Sequence, residues 1–376
     1  MSARVTILMS DTGGGHRAVA EALRSEILTL RPGLFVELVD GLVRYAPYPF
    51  NRMPEWYGPI IAHGRGLWRR GYALSDGRRR ARAINHAVRP YVRVALRRLL
   101  EAHPAEVLVS THPLLVGLVL DELGEGHPEF VTVVSDLASA HAWWFDHRAT
   151  RTLVPTCAVR ARALACGLSP ERVRVCGLPV AADFRSSSQD KLTSRRKLGW
   201  KGRQFTVLLL GGAEGMAPLR AIAMTLCASA MPMQLAVVCG RNERLKAQLA
   251  GMHWPFPVHV YGFVENMSEL MAAADVVVTK AGPSTVMEAL NCGRPLLLSG
   301  AIPGQEEGNV SMVVEGGGGW WTPSPELVVD QLRALREDRR HELDNAAIAA
   351  RKLAAPGAAR LVAAEIIALL AERVTA

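Results

Sequence analysis

A chain of 376 residues with 49% hydrophobic and 21% charged residues is globular in make-up, and its length suits two domains of ordinary size better than one core. Six cysteines without C-x-x-C spacing exclude a disulfide-held scaffold and are expected to be reduced; the apolar stretch 5–9 is too short for a secretory core and no run of 18 apolar residues occurs, so a cytoplasmic protein is expected. The net charge of +9 suits nucleic acid or anionic lipid, and eleven arginines against one acid, Asp76, concentrate it between positions 65 and 98.

The first predicted strand, 5–10, runs into Asp11-Thr12-Gly13-Gly14-Gly15-His16-Arg17-Ala18. A helix follows over 16–30, with Val19, Ala22, Leu23, Ile27 and Leu30 near a 3.6-residue period, and a second strand, 33–40, ends on Asp40. This glycine spacing with a later acid matches the dinucleotide fingerprint, so an NAD-dependent dehydrogenase is one reading. Against it, Asp11-Thr12 set the glycines back from the strand end and widen the loop. His16 falls in the first helical turn, where the positive dipole end disfavours the imidazolium and leaves a ring able to accept a proton. A capping or packing histidine is the alternative.

Residues 47–58 mix aromatic and turn residues, Leu67-Trp68 precede the arginines, and a helix is predicted over 81–102. Aromatic residues beside cations suit a bilayer interface, while packing of Trp56 and Trp68 under a loop and a solvated arginine face are the alternatives. No zinc-finger or RNP pattern accompanies the basic residues, so nucleic acid is not an expected partner. Strands at 107–110, 130–135 and 152–155 extend an open parallel sheet. The middle one delivers Asp136 to the edge that carries His16, either to hold the other ring nitrogen or as an ordinary turn acid.

Polar residues at 184–191 interrupt the periodicity and predict a division into a domain 1–184, a connection 185–200, a domain 201–357 and a C-terminal helix 358–376 that packs within the molecule, back on the first domain. Strands in the second half are predicted at 205–210, 235–239, 258–261, 276–279 and 295–298. They run into Gly211-Gly212-Ala213, Gly240-Arg241, Gly262-Phe263, Ala281-Gly282 and Ser299-Gly300, small residues at the carboxyl ends where open α/β sheets bind ligands. After the strand 276–279, Lys280-Ala281-Gly282-Pro283-Ser284-Thr285 forces a break at which Ser284 or Thr285 can cap a helix whose positive end suits a diphosphate. Glu288, one turn in, is placed for a ribose diol, and Gln305 with Glu306 for sugar hydroxyls, which makes a nucleotide-sugar site.

The motifs Ser10 to His16, Ser110-Thr111-His112-Pro113, Ser135-Asp136-Leu137 with His141 and Trp144-Phe145, and Lys280 through Pro303-Gly304-Gln305-Glu306 to Asn309 together resemble the MurG-like glycosyltransferases, family 28, and most closely the monogalactosyldiacylglycerol synthase and diacylglycerol glucosyltransferase branch. The resemblance implies the GT-B fold, an α/β architecture of two Rossmann-like, doubly wound parallel-sheet domains facing a cleft. It implies UDP-sugar held by Phe263 and Val264 near the uracil, Gly212, Lys280 and Gly282 to Thr285 (Gly282, Pro283, Ser284, Thr285) at the diphosphate, Glu288 at the ribose, and Gly304, Gln305, Glu306 and Asn309 toward the hexose.

His16 would be the base, oriented by Asp136; Gly14, Gly15, Trp56, Trp68, His141 and Trp144 would lie toward the acceptor and membrane. No D-x-D occurs, and no metal or cofactor is expected, UDP-sugar being a substrate. The implied reaction is inverting transfer of galactose, or glucose, to diacylglycerol, giving a β-monohexosyldiacylglycerol, by a cytoplasmic enzyme peripheral on the inner face of the plasma membrane or an equivalent membrane, in contact with anionic lipids. A UDP-N-acetylglucosamine transferase acting on a lipid-linked cell-wall precursor and a non-catalytic UDP-sugar or lipid sensor are the other readings, and the residues leave the oligomeric state open. Gly64 and Gly66 around Arg65, Ser135 and Ser284 depart from residues common in relatives, which bears on acceptor choice.

Overall fold

Runs of Val, Ile and Leu buried on both faces become the strands of two parallel sheets. The computed structural model describes residues 3–11, 14–124, 127–185, 190–212 and 218–375; Thr12, Gly13, residues 186–189 and Ala213, which carried sequence expectations, lie outside them.

The chain divides into two units, of which the first comprises Met1–Ala182, Pro303–Gln305 and Gly357–Ala376. Among its described residues, β1 (Arg4–Met9), β2 (Phe35–Asp40), β3 (Val107–Ser110), β4 (Glu129–Val133), β5 (Arg151–Val154) and β6 (Val173–Val175) form a sheet in the order β2-β1-β3-β4-β5-β6. Its helices are α1 (Gly15–Leu30), α2 (Met53–His63), α3 (Arg65–Ser75), α4 (Arg78–Ala102), α5 (Pro113–Leu120) and α6 (Cys157–Ala165). Residues 47–58, read as turn-rich, thus lead into a helix, started by Pro54 in its first turn. α5 is buried along its length from Leu115 to Leu120, whereas α1 buries one stripe, Val19, Ala20, Leu23 and Ile27.

The second unit, Asp183–Ile302 and Glu306–Pro356, contains α7 (Lys191–Lys197), β7 (Thr206–Leu210), α8 (Leu219–Ser229), β8 (Gln234–Val238), α9 (Glu243–Ala250), β9 (Val258–Tyr261) and α10 (Met267–Ala273). Then follow β10 (Val276–Lys280), α11 (Pro283–Asn291), β11 (Leu296–Gly300), α12 (Glu307–Glu315), β12 (Gly319–Trp321), α13 (Pro325–Glu337) and α14 (Arg340–Leu353). Its sheet order is β12-β11-β10-β7-β8-β9, the doubly wound order with its reversal between β7 and β10. The sequence had not marked β6 or β12. In β12 a Cβ at Gly319 would lie 2.1 Å from the Leu296 carbonyl oxygen, so the close pairing with β11 demands a residue of low strand propensity.

Residues 190–200 are not a polar connection. Arg195 of α7 is 3% exposed and binds Asp275 at 2.8 Å, and Lys191 binds the same carboxylate at 2.7 Å. Desolvation raises the Asp275 pKa, but Lys191 and Arg195 outweigh it and hold the carboxyl below its ordinary value. The last helix, α15 (Ala358–Thr375), buries Val362, Ala363, Ile366 and Leu369 within the first unit, and its Glu365 pairs with Arg151 at 3.4 Å and Arg174 at 3.3 Å.

Candidate functional site

In the first sheet the strand order reverses between β1 and β3, and ligands bind at the carboxyl ends beside such a reversal. β1 leads to α1, whose N-cap Gly14 has φ 81°, a left-handed conformation that spares glycine alone a steric penalty. Gly15 opens the helix and His16 follows. β3 leads to Thr111 and His112. The adjacency of β1 and β3 places the Thr111 carbonyl oxygen 2.8 Å from His16 Nδ1, with Ser135 Oγ at 3.0 Å from the same nitrogen. A carbonyl can only accept, so Nδ1 carries the hydrogen and Nε2 keeps the lone pair.

Burial pushes the His16 pKa down from 6.5 to about 4, more than the Thr111 hydrogen bond raises it. The His112 ring lies 4.6 Å from that of His16, and burial, then the neighbouring imidazole, lowers its pKa well below the ordinary value. His16 is therefore uncharged and in a fixed tautomer at neutral pH.

Asp136 does not hold Nδ1. Its Oδ2 accepts from Trp144 Nε1 at 2.7 Å, and the tautomer is set by Thr111, which replaces the expected Asp136–His16 dyad. Trp144 itself is wholly buried, its ring 6.0 Å from that of His16, so it packs beside the imidazole and exposes no surface of its own. His141 is likewise 3% exposed, accepting from the Trp143 amide at 3.1 Å, and burial lowers its pKa. Signals for Thr111 and Ser135 lay in the quoted motifs, but only strand order assigns them to the ring.

The fingerprint acid Asp40 is spent locally. Its oxygens accept from the amides of Asp11 (3.2 Å), Leu42 (3.1 Å) and Val43 (2.8 Å), while Asp11 pairs with Arg17 at 2.9 Å. Neither carboxylate is left to read a ribose, which removes the structural basis of the dehydrogenase reading.

In the second unit the reversal between β7 and β10 gathers Gly212, Lys280, Gly282 and Glu306. Gly212 has φ 72°, a conformation that favours glycine, and a Cβ on Gly282 would come within 2.9 Å of Lys280 Nζ, so Gly282 makes room for the lysine ammonium. Gly282 is the N-cap of α11, Pro283 is its first residue, and Ser284 and Thr285 fall inside the first turn. The expected side-chain cap is thus a glycine cap, which adds no side-chain hydrogen bond of its own at the positive helix end. Glu288 is half-buried on the same helix, and desolvation raises its pKa from 4.5 to about 7.

Glu306 is 2% exposed; it pairs with Lys280 and accepts from the Ile302 amide at 3.0 Å. Its carboxylate is engaged by the lysine ammonium and the turn amide. Asn309, 1% exposed, donates to the Ala281 carbonyl at 2.9 Å and so braces the turn before α11. Gly304 and Gln305 group with the first unit, where Tyr57 Oη donates to Gln305 Oε1 at 3.2 Å. After β9, Phe263 is exposed with the Arg241 guanidinium 5.2 Å from its ring centroid, and Val264 follows it, half-buried. Three strand spacings separate β9 from β10, roughly 14 Å, a span an extended nucleoside diphosphate bridges.

Toward the acceptor-side residues, Trp56 is 41% exposed and meets Tyr48 edge to face. Trp68 instead packs between Tyr57 and Tyr72, at 5.4 and 6.4 Å. Of the arginine run, Arg89, Arg93 and Arg97 converge on Glu122 at 2.7, 3.6 and 2.9 Å. Desolvation of Glu122 acts upward, but hydrogen bonds from Arg89 and Arg97 keep its carboxyl below the ordinary range. The remaining arginines between 65 and 98 are exposed.

Residues 16–180 match the family model for monogalactosyldiacylglycerol (MGDG) synthase, and residues 206–361 that of the glycosyltransferase family 28 C-terminal domain. A probable chloroplastic monogalactosyldiacylglycerol synthase of Nicotiana tabacum is 36% identical over 98% of this chain and 71% of its own length, and the chloroplastic enzyme of Spinacia oleracea 36% over 99% and 73%. Among solved structures, Acinetobacter baumannii MurG superposes with a TM-score of 0.62 at 15% identity over 97% of this chain and 99% of its own, which establishes the GT-B fold. These relatives are chloroplastic by name, which overturns the expectation of a cytoplasmic enzyme on the inner face of a plasma membrane.

Proposed function

The chain belongs to the monogalactosyldiacylglycerol synthase family, and from that premise we propose that it transfers a hexose, galactose before glucose, from a UDP-sugar to the free hydroxyl of diacylglycerol with inversion, giving a β-monohexosyldiacylglycerol at a membrane surface. The observation that carries this reading is the His16 ring, pinned by Thr111 as the tautomer whose Nε2 accepts a proton. Nε2 takes the hydroxyl proton as the acceptor oxygen bonds to the anomeric carbon. The bond from that carbon to the β-phosphate oxygen breaks on the opposite face, so the configuration inverts. UDP departs as an anion toward the N-terminus of α11 and the Lys280 ammonium, which supply the positive charge without a metal.

On the acceptor side, Trp56 and Ile60 of α2 and Leu67 and Leu74 of α3 are exposed at 41, 43, 76 and 70%, beside exposed Arg65, Arg69 and Arg70. Aromatic and aliphatic side chains next to cations suit an anionic bilayer interface. The test incubates the protein with vesicles and UDP-galactose, UDP-glucose or UDP-N-acetylglucosamine and determines product mass and anomeric configuration. A β-galactosyl diacylglycerol is expected; an α-linked product, transfer of N-acetylglucosamine alone, or UDP-sugar binding without product overturns the reading. Vesicle binding should rise with anionic lipid and weaken with salt, and equal binding to neutral vesicles removes the electrostatic part.

A further inference from the structure

A partly open cavity of about 160 Å³ lies in the first unit, lined by Leu42, Phe50, Val88, Leu115 and Trp143 among other side chains that are almost all apolar. Its walls begin where β2, β3 and β4 end: Gly41 and Leu42 follow β2, Leu114 and Leu115 follow β3, and Trp143 follows β4. This is the sheet edge that carries His16. Two links join cavity and base. Trp143 neighbours Trp144, whose ring is 6.0 Å from that of His16, and Leu114 comes two residues after His112, whose ring is 4.6 Å from it. On the other side Phe50 lies in the short turn that leads into α2 and Met53 opens that helix, which exposes Trp56 and Ile60.

Trp143 adds a second observation. Its Nε1 is buried and has no hydrogen-bond partner among the described residues. A buried donor of this kind is costly unless something supplies an acceptor.

Resting on the proposed transfer to diacylglycerol, we propose that the cavity takes the carbons of one acyl chain nearest its ester, the remainder running out past α2, with that chain's ester carbonyl accepting from Trp143 Nε1. An apolar cavity near 150 Å³ admits a benzene-sized guest, so this one has room for about six carbons of a chain. It acts as a ruler: it draws a lipid out of the bilayer past α2 and sets its glycerol hydroxyl beside His16. An ester is the fitting acceptor because an acyl chain brings one carbonyl at its head and nothing polar beyond it.

The experiment uses the full chain and water-soluble monomeric glycerides that carry one acetyl group and one acyl chain of four to ten carbons, with UDP-galactose. Acceptor KM should fall about fourfold per added methylene, the ~0.8 kcal/mol of a buried methylene, until the cavity is full and then level off. Val88→Phe, which fills part of the space, should move the break two or three carbons shorter and leave the UDP-galactose KM unchanged. Trp143→Phe should raise acceptor KM by about three- to tenfold for every chain length, with melting temperature unchanged or higher because an unsatisfied donor has been removed.

The same break in wild type and a folded Val88→Phe, or a Trp143→Phe that melts lower without a change in acceptor KM, overturns the proposal. Calorimetric binding of the same glycerides needs no turnover. If none is glycosylated, the transfer reading fails, while a binding affinity with or without the break still decides for or against the cavity.

Discussion

Replacing Glu288 by Gln should weaken donor binding and stabilise the empty protein, and both effects should depend on pH. The carboxyl is half-buried on α11, and desolvation lifts its pKa from 4.5 to about 7. Because the folded pKa is raised, the proton favours the fold: that contribution is complete below 4.5 and is lost as pH rises through 7. The shift corresponds to at most roughly 3 kcal/mol, less because the side chain retains contact with water. A glutamine cannot ionise, so Glu288→Gln should melt a few degrees higher at pH 8.5 and equally at pH 4.5.

Donor binding has the opposite sign. A carboxylate accepting from the ribose diol is worth about 1.5–3 kcal/mol, or 10- to 100-fold in affinity, and a neutral side chain forfeits most of it. Wild-type affinity for UDP-hexose, whose phosphates stay ionised throughout, should therefore fall as pH drops below about 7. His16, at about 4, contributes nothing to that limb. The assay is calorimetric titration of UDP-hexose and thermal melting of both proteins from pH 5.5 to 8.5. Donor affinity independent of pH in the wild type, or a variant less stable than wild type at pH 8.5, refutes the assignment of a buried, ribose-facing carboxyl.

His16→Ala should lose 10²- to 10⁴-fold in kcat while UDP-hexose affinity is retained, measured by initial rates and calorimetry; a turnover near wild type rules out the base. Asp136→Asn keeps an oxygen for Trp144, so we expect a loss of about 1–2 kcal/mol in stability and an unaltered pH–rate profile. A large drop in kcat with a shifted profile would restore the dyad. Arg195→Ala leaves Asp275 buried with Lys191 as its remaining cation and should cost roughly 3 kcal/mol in urea unfolding of the second unit; a change under 1 kcal/mol contradicts the buried-pair account.

Local features were readable without coordinates because they depend on near neighbours in the chain. Apolar runs at 107–110 and 258–261 coincide with β3 and β9, and the break at Gly282-Pro283 begins α11 because proline suits a first helical turn and glycine the cap before it. The glycines after the strands pointed to the carboxyl edge of each sheet for the same reason. β12 escaped notice because Gly319 is chosen for a contact with Leu296, a residue distant in sequence and invisible to any periodicity.

Residue types and spacing therefore determined the alternation of strand and helix, the helix start that carries His16, and the Gly-Pro opening of α11. Tertiary structure alone decided which groups touch. Thr111, 95 positions from His16, orients the imidazole because β1 and β3 are neighbours in the sheet, and Asp136 turns to Trp144 instead. Glu306 meets Lys280 across 26 positions and disappears from solvent. A side chain's polarity is local information, but the partner that satisfies it once buried is set by strand order and crossover, which no short stretch of sequence encodes.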